Sequence, residues 1–412
     1  MDAFRSFKYK NFKLFFYGQS ISLLGTWIQK TAVVWLVYRL TGSALLLGIV
    51  SFVSLIPSLL LSPYAGSYID RHDRFKVMKN TQKLAMLQAG LLAGLIYFQV
   101  YNISIIIALS LLQGIINAFD VTCRQSLMVE LVDDKADLPN AIALNSTITN
   151  LARVAGPAIA GIILSTLGED FCFISNFFSF VPVLICLYLM KINIHPSAKS
   201  QKDIWHELKE GLEYVISEKQ IVSLIVLLSA SSLFVIPFTT LMPVFAKDLF
   251  NGTSGTFSLF ESAIGLGSLI SAVYLARLKN INKLTQITIV ASVLFGAGVL
   301  ILAVSNHLPL ALVGMVISGV GMMAQTSSIN TYIQTHAAPA MRARTISYYV
   351  MAYLGITPIG SLLIGFLAEY LKPREVVALE GILGMITIAA YVFYQKQAKE
   401  NSGSNKAILK AA

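Results

Sequence analysis

The chain has 412 residues, 56% of them hydrophobic and only 13% charged, with a net charge of +10. Apolar runs of about 20 residues recur from end to end, which excludes a soluble globular domain and indicates a polytopic membrane protein. Three cysteines, Cys123, Cys172 and Cys186, fall within or at the ends of apolar spans and form no CxxC pair. They give neither a disulfide framework nor a metal site and are expected to be packing residues; no cofactor is expected.

Twelve spans are predicted, at 14–40, 46–68, 80–100, 103–124, 138–167, 169–190, 220–247, 254–278, 283–304, 307–333, 342–370 and 375–395. A span in hydrocarbon satisfies its backbone only as a helix or as part of a closed barrel. Runs such as LLLGIVSFVSLIPSLLL lack the alternation of barrel strands, so the spans are helices. The opening MDAFRSFKYKNFK is basic and aromatic and leads into a span too long for a signal-peptide core. Span 1 is expected to remain in the mature protein.

Along span 1, Gln19, Ser22, Thr26 and Gln29 recur every three or four residues and share a helix face. A polar face inside lipid either lines a cavity or hydrogen-bonds to other helices. Lys30 follows. Between spans 2 and 3, GSYIDRHDRFK gathers Gly66, Asp70, Arg71, Arg74 and Lys76. Asp120 and Arg124 lie near the inner end of span 4, where Asp120 is expected to pair with Arg71 or Arg74 as part of a gate. Asp70 is expected to meet the positive N-terminal end of span 11, near residues 343–347, with Gly66 letting another helix close against it.

Span 5 carries Asn145, Thr149 and Arg153, then RVAGPAIAG with Gly156, Pro157 and Gly161. Span 8 carries Glu261, and span 10 carries Gln325 and Asn330. Counted from the inner face, Lys30, Arg153 and Glu261 come to similar depths of about 22–25 Å at 1.5 Å per residue. Intramembrane charges are expensive, so each needs an account. Two cations and one carboxylate at one level suit an anionic substrate, with Glu261 able to take a proton as the cavity's charge changes. The competing account has Lys30 and Arg153 bound to backbone carbonyls or packed structurally, and Glu261 snorkelling outward.

With the N-terminus inside, 25 of the 31 Lys and Arg residues fall on the inner side, and only Arg39, Lys247, Lys372 and Arg374 on the outer. Both termini are therefore expected in the cytoplasm, and the basic balance reports topology and contact with anionic lipid. No nucleic-acid partner is needed to explain it.

The long polar segment 191–219 carries Ile204, Leu208, Leu212, Val215 and Ile216 at helical spacing, which predicts an amphipathic helix linking six spans to six. The expected division is an N-terminal bundle (1–190), this linker (191–219), a C-terminal bundle (220–395) and a tail (396–412). RVAGPAIAGIIL in span 5 is echoed by LGITPIGSLLIGFL in span 11, with Pro157 matching Pro358. Matched small-residue and proline placement in two halves favours a duplicated transporter.

GSYIDRHDRFK resembles the loop-2/3 signature of the major facilitator superfamily, and RVAGPAIAG resembles the Gly-Pro motif of its antiporters. LLGTWIQKTAVVWLVYRLTGSALLLG and DLPNAIALNSTITNLARVAGPA resemble the enterobactin-exporter-like branch, which holds siderophore exporters and drug efflux proteins. The second half departs from the signature, with Ala276 where Asp70 would recur, although Arg277 remains. The resemblance implies an all-α fold of two pseudo-symmetric six-helix bundles in a bacterial cytoplasmic membrane, acting without a bound nucleotide. It also implies alternating access, with proton-coupled export of a siderophore or similar small anionic or amphiphilic molecule.

Multidrug efflux, lysolipid transport and siderophore import are the alternatives. A channel would call for a pore-lining ring or filter motif, which is not visible. A membrane enzyme would call for HExxH, a nucleotide loop or a nucleophile elbow, none of which occurs; His72 and Asp73 belong to the charged loop. The expected partners are a small-molecule substrate, protons and lipid, and the chain is expected to act as a monomer.

Overall fold

The computed structural model describes residues 4–192, 204–278, 283–339 and 341–411. Among them there is no strand. The first six long helices are α1 (Lys10–Thr41), α2 (Ala44–Arg71), α3 (Arg74–Tyr97), α4 (Ile103–Leu127), α5 (Leu138–Thr166) and α6 (Glu169–Leu189). Then come α7 (Ile204–Ser217), α8 (Lys219–Phe234), the short α9 (Met242–Val244), α10 (Ser254–Ala276), α11 (Leu284–Val304) and α12 (Leu308–His336). The last are α13 (Arg342–Val350), α14 (Thr357–Leu367) and α15 (Pro373–Ala411).

Among the described residues eleven segments are long and apolar enough to cross a membrane, including Lys219–Leu249 and Arg344–Leu367, each built from more than one helical piece. The twelfth expected span is α3, whose first half carries Arg74, Lys76, Lys79 and Lys83 and so reads as less apolar.

Local chemistry sets the helix ends. Gly42 closes α1 in the left-handed region at φ +62, a conformation glycine adopts without strain, and Ser43 then caps α2 by accepting from Leu46 N. Asp73 caps α3 by accepting from Phe75 N and Lys76 N, and His72 stacks on Tyr68 at 4.0 Å between ring centroids. The pair His72–Asp73 is thus spent on capping and stacking. The expected loop at 69–83 is mostly helical, because the cap lets α3 start at Arg74 rather than near 80.

Span 7 also differs from the expectation of one continuous helix. Val235 ends α8, a 3-10 turn covers Ile236–Leu241, and a π-helical turn covers Phe245–Leu249. Pro237 and Pro243, which lack the N–H that a continuing helix needs, lie in and just after the 3-10 turn.

The chain packs as two compact units. One comprises Met1–Gln201, Thr240–Gly265 and Ser361–Tyr370; the other comprises Lys202–Thr239, Leu266–Gly360 and Leu371–Ala412. The first is built around Phe12, Phe15, Ile69, Met78, Phe180 and Leu187. The second is built around Leu224, Leu228, Ile329, Ile333, Tyr349 and Ile388. Large apolar side chains such as Leu60, Leu87, Phe98, Ile162, Phe178 and Ile185 stay exposed, the surface a chain presents to lipid.

The predicted amphipathic helix is α7, which docks within the second unit. Glu210 pairs with Arg344 at 2.6 Å, and Tyr214 Oη accepts from Ala338 N at 2.9 Å. Val215 is buried, whereas Leu212 and Ile216 stay exposed; the side chains of Ile204 and Leu208 lie outside the described residues. Beyond the predicted span 375–395, the backbone of α15 continues helical to Ala411.

The N-terminal segment is strapped to the start of α5. Asp137 pairs with Arg5 at 3.0 Å and with Lys8 at 2.7 Å, and it accepts from Tyr9 Oη at 2.8 Å. Ser6, fully buried, donates to Asn140 Oδ1 at 2.7 Å. The bonds from Lys8 and then Tyr9 hold the Asp137 carboxyl below its ordinary range, and the bond to Asp137 pushes the Lys8 ammonium up to about 12. The strap is therefore complete near neutral pH. It weakens as pH falls through the lowered Asp137 value, and again as pH rises through about 12.

Asp137→Ala is expected to lower the thermal midpoint of the detergent-solubilised protein at pH 7, and to lower it progressively less as pH falls through the lowered Asp137 value, where the wild-type carboxylate is itself protonated. Equal midpoints for the two proteins at pH 7 would show that the strap adds no stability.

Candidate functional site

In the first unit, α1 and α5 meet where Gly156 offers no side chain: the space its Cβ would need is filled by Trp27. That close approach puts two cations on one indole. Lys30 Nζ lies 4.6 Å from the Trp27 ring centroid, and Arg153 Cζ lies 5.6 Å from it. Cations are drawn to the negative face of an aromatic ring, which offsets part of their mutual repulsion. Lys30 keeps an exposed side chain although Gln29 and Thr31 on either side are buried.

Lys30 also lies within electrostatic reach of both Glu261 and Arg153. Glu261 is on α10, and α10 packs on α5 one turn further along, where Val154 fills the space beside Gly265. The three ionisable groups expected at one depth are thus brought together. None of them takes part in an ion pair among the described residues.

Asn145, Thr149 and Arg153 stand at four-residue intervals and line one face of α5. Arg153 Nε and Asn145 Oδ1 are buried without a hydrogen-bond partner, and Thr149 Oγ1 bonds to the Asn145 carbonyl at 2.9 Å. On α1, Gln19 is buried with its Nε2 unpartnered, Ser22 is buried, and Thr26 Oγ1 donates to the Ser22 carbonyl at 2.8 Å.

Gln29 turns away from this group. Asn176 Nδ2 donates to its Oε1 at 2.8 Å, and its Nε2 donates to Gln88 Oε1 at 3.2 Å, tying α1 to α6 and α3. Gln325 and Asn330 lie in the other unit. Gln325 Nε2 donates to Ser231 Oγ and Ser292 Oγ, both at 2.8 Å, and Asn330 Oδ1 accepts from Gln334 Nε2 at 3.1 Å. Interhelical and local bonding engages these three, while Gln325 Oε1 stays buried without a partner.

The charged cluster at the start of α3 also differs from expectation. Asp120 pairs with Arg124 on its own helix at 3.5 Å and accepts from Gln82 Nε2 at 2.5 Å, in place of the partner expected from Arg71 or Arg74. An i,i+4 neighbour on the same helix needs no rearrangement to reach it, whereas the Arg71 side chain is exposed. Gly66 has ordinary room, its nearest neighbour being the Thr122 methyl at 3.9 Å from a built Cβ, so no helix closes tightly on it. The expected contact of Asp70 with residues 343–347 falls on side chains, Asp70 and Ala343, outside the described residues.

At the α1–α2 turn, segments from both sequence halves pack together inside the first unit. Gly48 lies against Ser361 and Gly365 of α14, Gly161 against Ser258 of α10, and Trp35 stacks on Phe257 at 6.0 Å. Tyr38 donates to Asp248, Arg39 pairs with Glu169 through two bonds of 2.7 and 2.9 Å, and Glu369 accepts from Ser43 Oγ at 2.9 Å.

A model of the transmembrane secretion effector family matches residues 1–409. The chain belongs to this family of major facilitator superfamily transporters. It is 29% identical to the staphyloferrin A transporter of Staphylococcus aureus, over 93% of this chain and 95% of that protein. It is 23% identical to macrolide efflux protein A of Streptococcus pyogenes, over 73% of this chain and 75% of that protein.

Among solved structures it resembles a bacterial homologue of the iron transporter ferroportin in the inward-facing state. That likeness has a TM-score of 0.70 at 18% identity and covers 93% of this chain and 98% of that one. A nucleoside transporter matches with a TM-score of 0.71 at 15% identity, covering 92% of this chain and 99% of that one. These likenesses establish the superfamily's fold, and the family is one of transporters rather than enzymes.

Trp27 is the site residue that sequence reasoning missed. Its signal is the spacing Trp27, Lys30 on one helix beside a glycine of another, which becomes legible only once α1 and α5 are known to touch.

Gln29→Ala in this secretion-effector-family transporter is expected to cost about 1–3 kcal/mol of stability by leaving Asn176 and Gln88 without a partner. Lys30→Ala is expected to leave the thermal midpoint unchanged. Thermal denaturation of both variants in detergent checks the contrast, and a loss confined to Lys30→Ala would reverse the assignment.

Proposed function

We propose that this transporter is a proton-coupled exporter of a siderophore or similar small anionic molecule, working by alternating access across a bacterial cytoplasmic membrane with both termini inside. The observation that carries the reading is the pair of cations, Lys30 and Arg153, gathered on the one Trp27 ring, with Glu261 within electrostatic reach of Lys30. An anionic ligand gains from two cations in a low-dielectric setting, and the indole adds an apolar contact surface. Arg153 Nε, buried and unpartnered, is a donor already desolvated for such a ligand.

The name of the staphyloferrin A relative points to the same substrate class. The named macrolide efflux relative supports the alternative of drug export. A lipophilic cation would meet two like charges at Lys30 and Arg153, so the site favours the anionic class.

Glu261 is the proposed proton carrier for this site. Its charge acts on Lys30, the cation proposed to hold an anionic substrate, so the proton occupancy of Glu261 and the substrate occupancy of the site are linked. The proposed outward-side seal is the packing around Gly48, Gly161 and the Tyr38–Asp248 bond.

Lys30→Ala and Arg153→Ala should each weaken binding of an iron-free or iron-loaded carboxylate siderophore by about tenfold or more, the loss expected on removing a charge-assisted contact. Both variants should elute as folded protein; unchanged affinity in both would overturn the site. Glu261→Gln should abolish pH-driven accumulation in proteoliposomes while preserving counterflow, and intact pH-driven accumulation would remove Glu261 from the coupling.

With Cys123, Cys172 and Cys186 replaced by serine, Gly48→Leu should raise labelling of a cysteine placed at position 258 by a thiol reagent added from outside. No rise in labelling would show that the packing at Gly48 is not the seal.

A further inference from the structure

Glu380, on α15, is the acid that the reading above leaves unused. It is 1% exposed, and neither of its carboxyl oxygens has a hydrogen-bond partner. It shares the packed face of α15 with Val376, Val377, Gly381, Gly384 and Ile388, all buried.

The helices packed on α15 are α11 and α8. Helix α11 carries no charged residue, and the one charge on α8 is Lys219, at its start. On α15 itself Arg374 and Glu375 lie more than a turn away near the helix start, and Tyr391 lies three turns further along, where it accepts from Gln220 Nε2 at 3.1 Å. Among the described residues no ion pair includes Glu380.

Two contacts fix the register of α15 against α8. Tyr391 meets Gln220, and a Cβ on Gly384 would lie 3.0 Å from Val235 Cγ2. The helices are therefore antiparallel, and Glu380, one turn before Gly384, lies near the end of α8, where that helix gives way to its 3-10 turn. A broken helix at membrane depth beside a buried ionisable group is the arrangement in which transporters hold coupling ions. An unpaired acid buried this completely opposes folding in its charged form, so the fold carries it at a cost that a leucine would remove.

We propose that Glu380 is a second proton-binding site, in the other unit from Glu261, which takes up a proton from one side and releases it to the other as the carrier cycles. The proposal rests on the proton-coupled reading above. The proton moves between the carboxyl and water, and no other bond changes. The 3-10 turn opposite Glu380 is the element whose rearrangement admits water to it.

The test has two arms on reconstituted full-length protein. The first is labelling with dicyclohexylcarbodiimide, an apolar reagent that adds to protonated carboxyls, mapped by mass spectrometry. The peptide containing Glu380 should be labelled, the labelling should fall as pH rises, and Glu380→Gln should lose it. No labelling of that peptide at any pH would overturn the proposal.

The second arm measures Glu380→Gln and Glu380→Leu in proteoliposomes. Both should retain substrate counterflow and lose proton-driven accumulation, and Glu380→Leu should raise the thermal midpoint. Wild-type proton dependence in either variant overturns the proposal for Glu380 alone, as does a lowered midpoint in Glu380→Leu, which marks a structural role. A wild-type protein whose accumulation ignores an imposed pH gradient overturns the coupling reading, and this proposal with it.

Discussion

A polar group in hydrocarbon must find its partner inside the protein, and this constraint organises the molecule at every level. It puts the backbone into long helices, with the longer irregular stretches of the spans among the described residues at 236–249 and 351–355. It draws Gln29, Gln88 and Asn176 into one buried network and Gln325, Ser231 and Ser292 into another. Among the described residues 13 buried side-chain polar atoms still lack partners; most are single hydroxyls or amide atoms, and the ionisable groups among them are Arg124, Arg153 and Glu380. A desolvated group without a partner gains more from a ligand or a proton than one already bonded. Chemistry at membrane depth is therefore best sought at those atoms.

Close helix contact converts that constraint into a site. Gly156 admits Trp27, and the approach of α1 to α5 places Lys30 and Arg153 on one indole although they are 123 positions apart in the chain. A larger residue at 156 would separate the cations before it touched either. The helix-packing motif read from RVAGPAIAG and the proposed binding charges are thus one structural feature. Its packing role and its proposed binding role are not alternatives.

The fold was legible because apolar length, charge asymmetry and the duplicated proline motif are local properties of the sequence. Of the site, the proximity of three charges was legible and the direction of the polar side chains was not. Counting residues along spans put Lys30, Arg153 and Glu261 at one level, and they lie within electrostatic reach as that count requires. Helical spacing alone put Gln29 on the same face as Gln19 and Thr26. It could not show that Asn176 and Gln88 wait on the neighbouring helices to take it.

Asp120 failed for a related reason: its partner was sought in the adjacent charged loop, and the nearer cation was four residues away on its own helix. The N-terminal strap to Asp137 joins segments more than a hundred residues apart and leaves no local pattern. Glu380 obeys the same rule that flagged the other intramembrane charges. It lies close enough to the start of span 375–395 to pass for a residue at the helix end.

The duplicated motif shows how far the two halves have diverged. In α5, Pro157 sits inside a helix that runs unbroken from Leu138 to Thr166, with Gly156 packed against Trp27 before it. In the second half a π-helical turn, Met351–Gly355, precedes the matching Pro358, which then stands at the second position of α14. There its missing N–H is no loss, since the first turn of a helix has no internal acceptor for it. The same proline is thus absorbed by packing in one half and by a break in the other. The half that keeps its helix whole holds two cations on one ring. The half with the two breaks, at residues 236–249 and 351–355, also holds the buried Glu380. A rigid helix keeps charges at fixed spacing for a ligand, whereas a broken one can open to water and let a proton move. The divergence of the repeats is therefore one of helix continuity: the same proline leaves one helix whole and follows a break in the other.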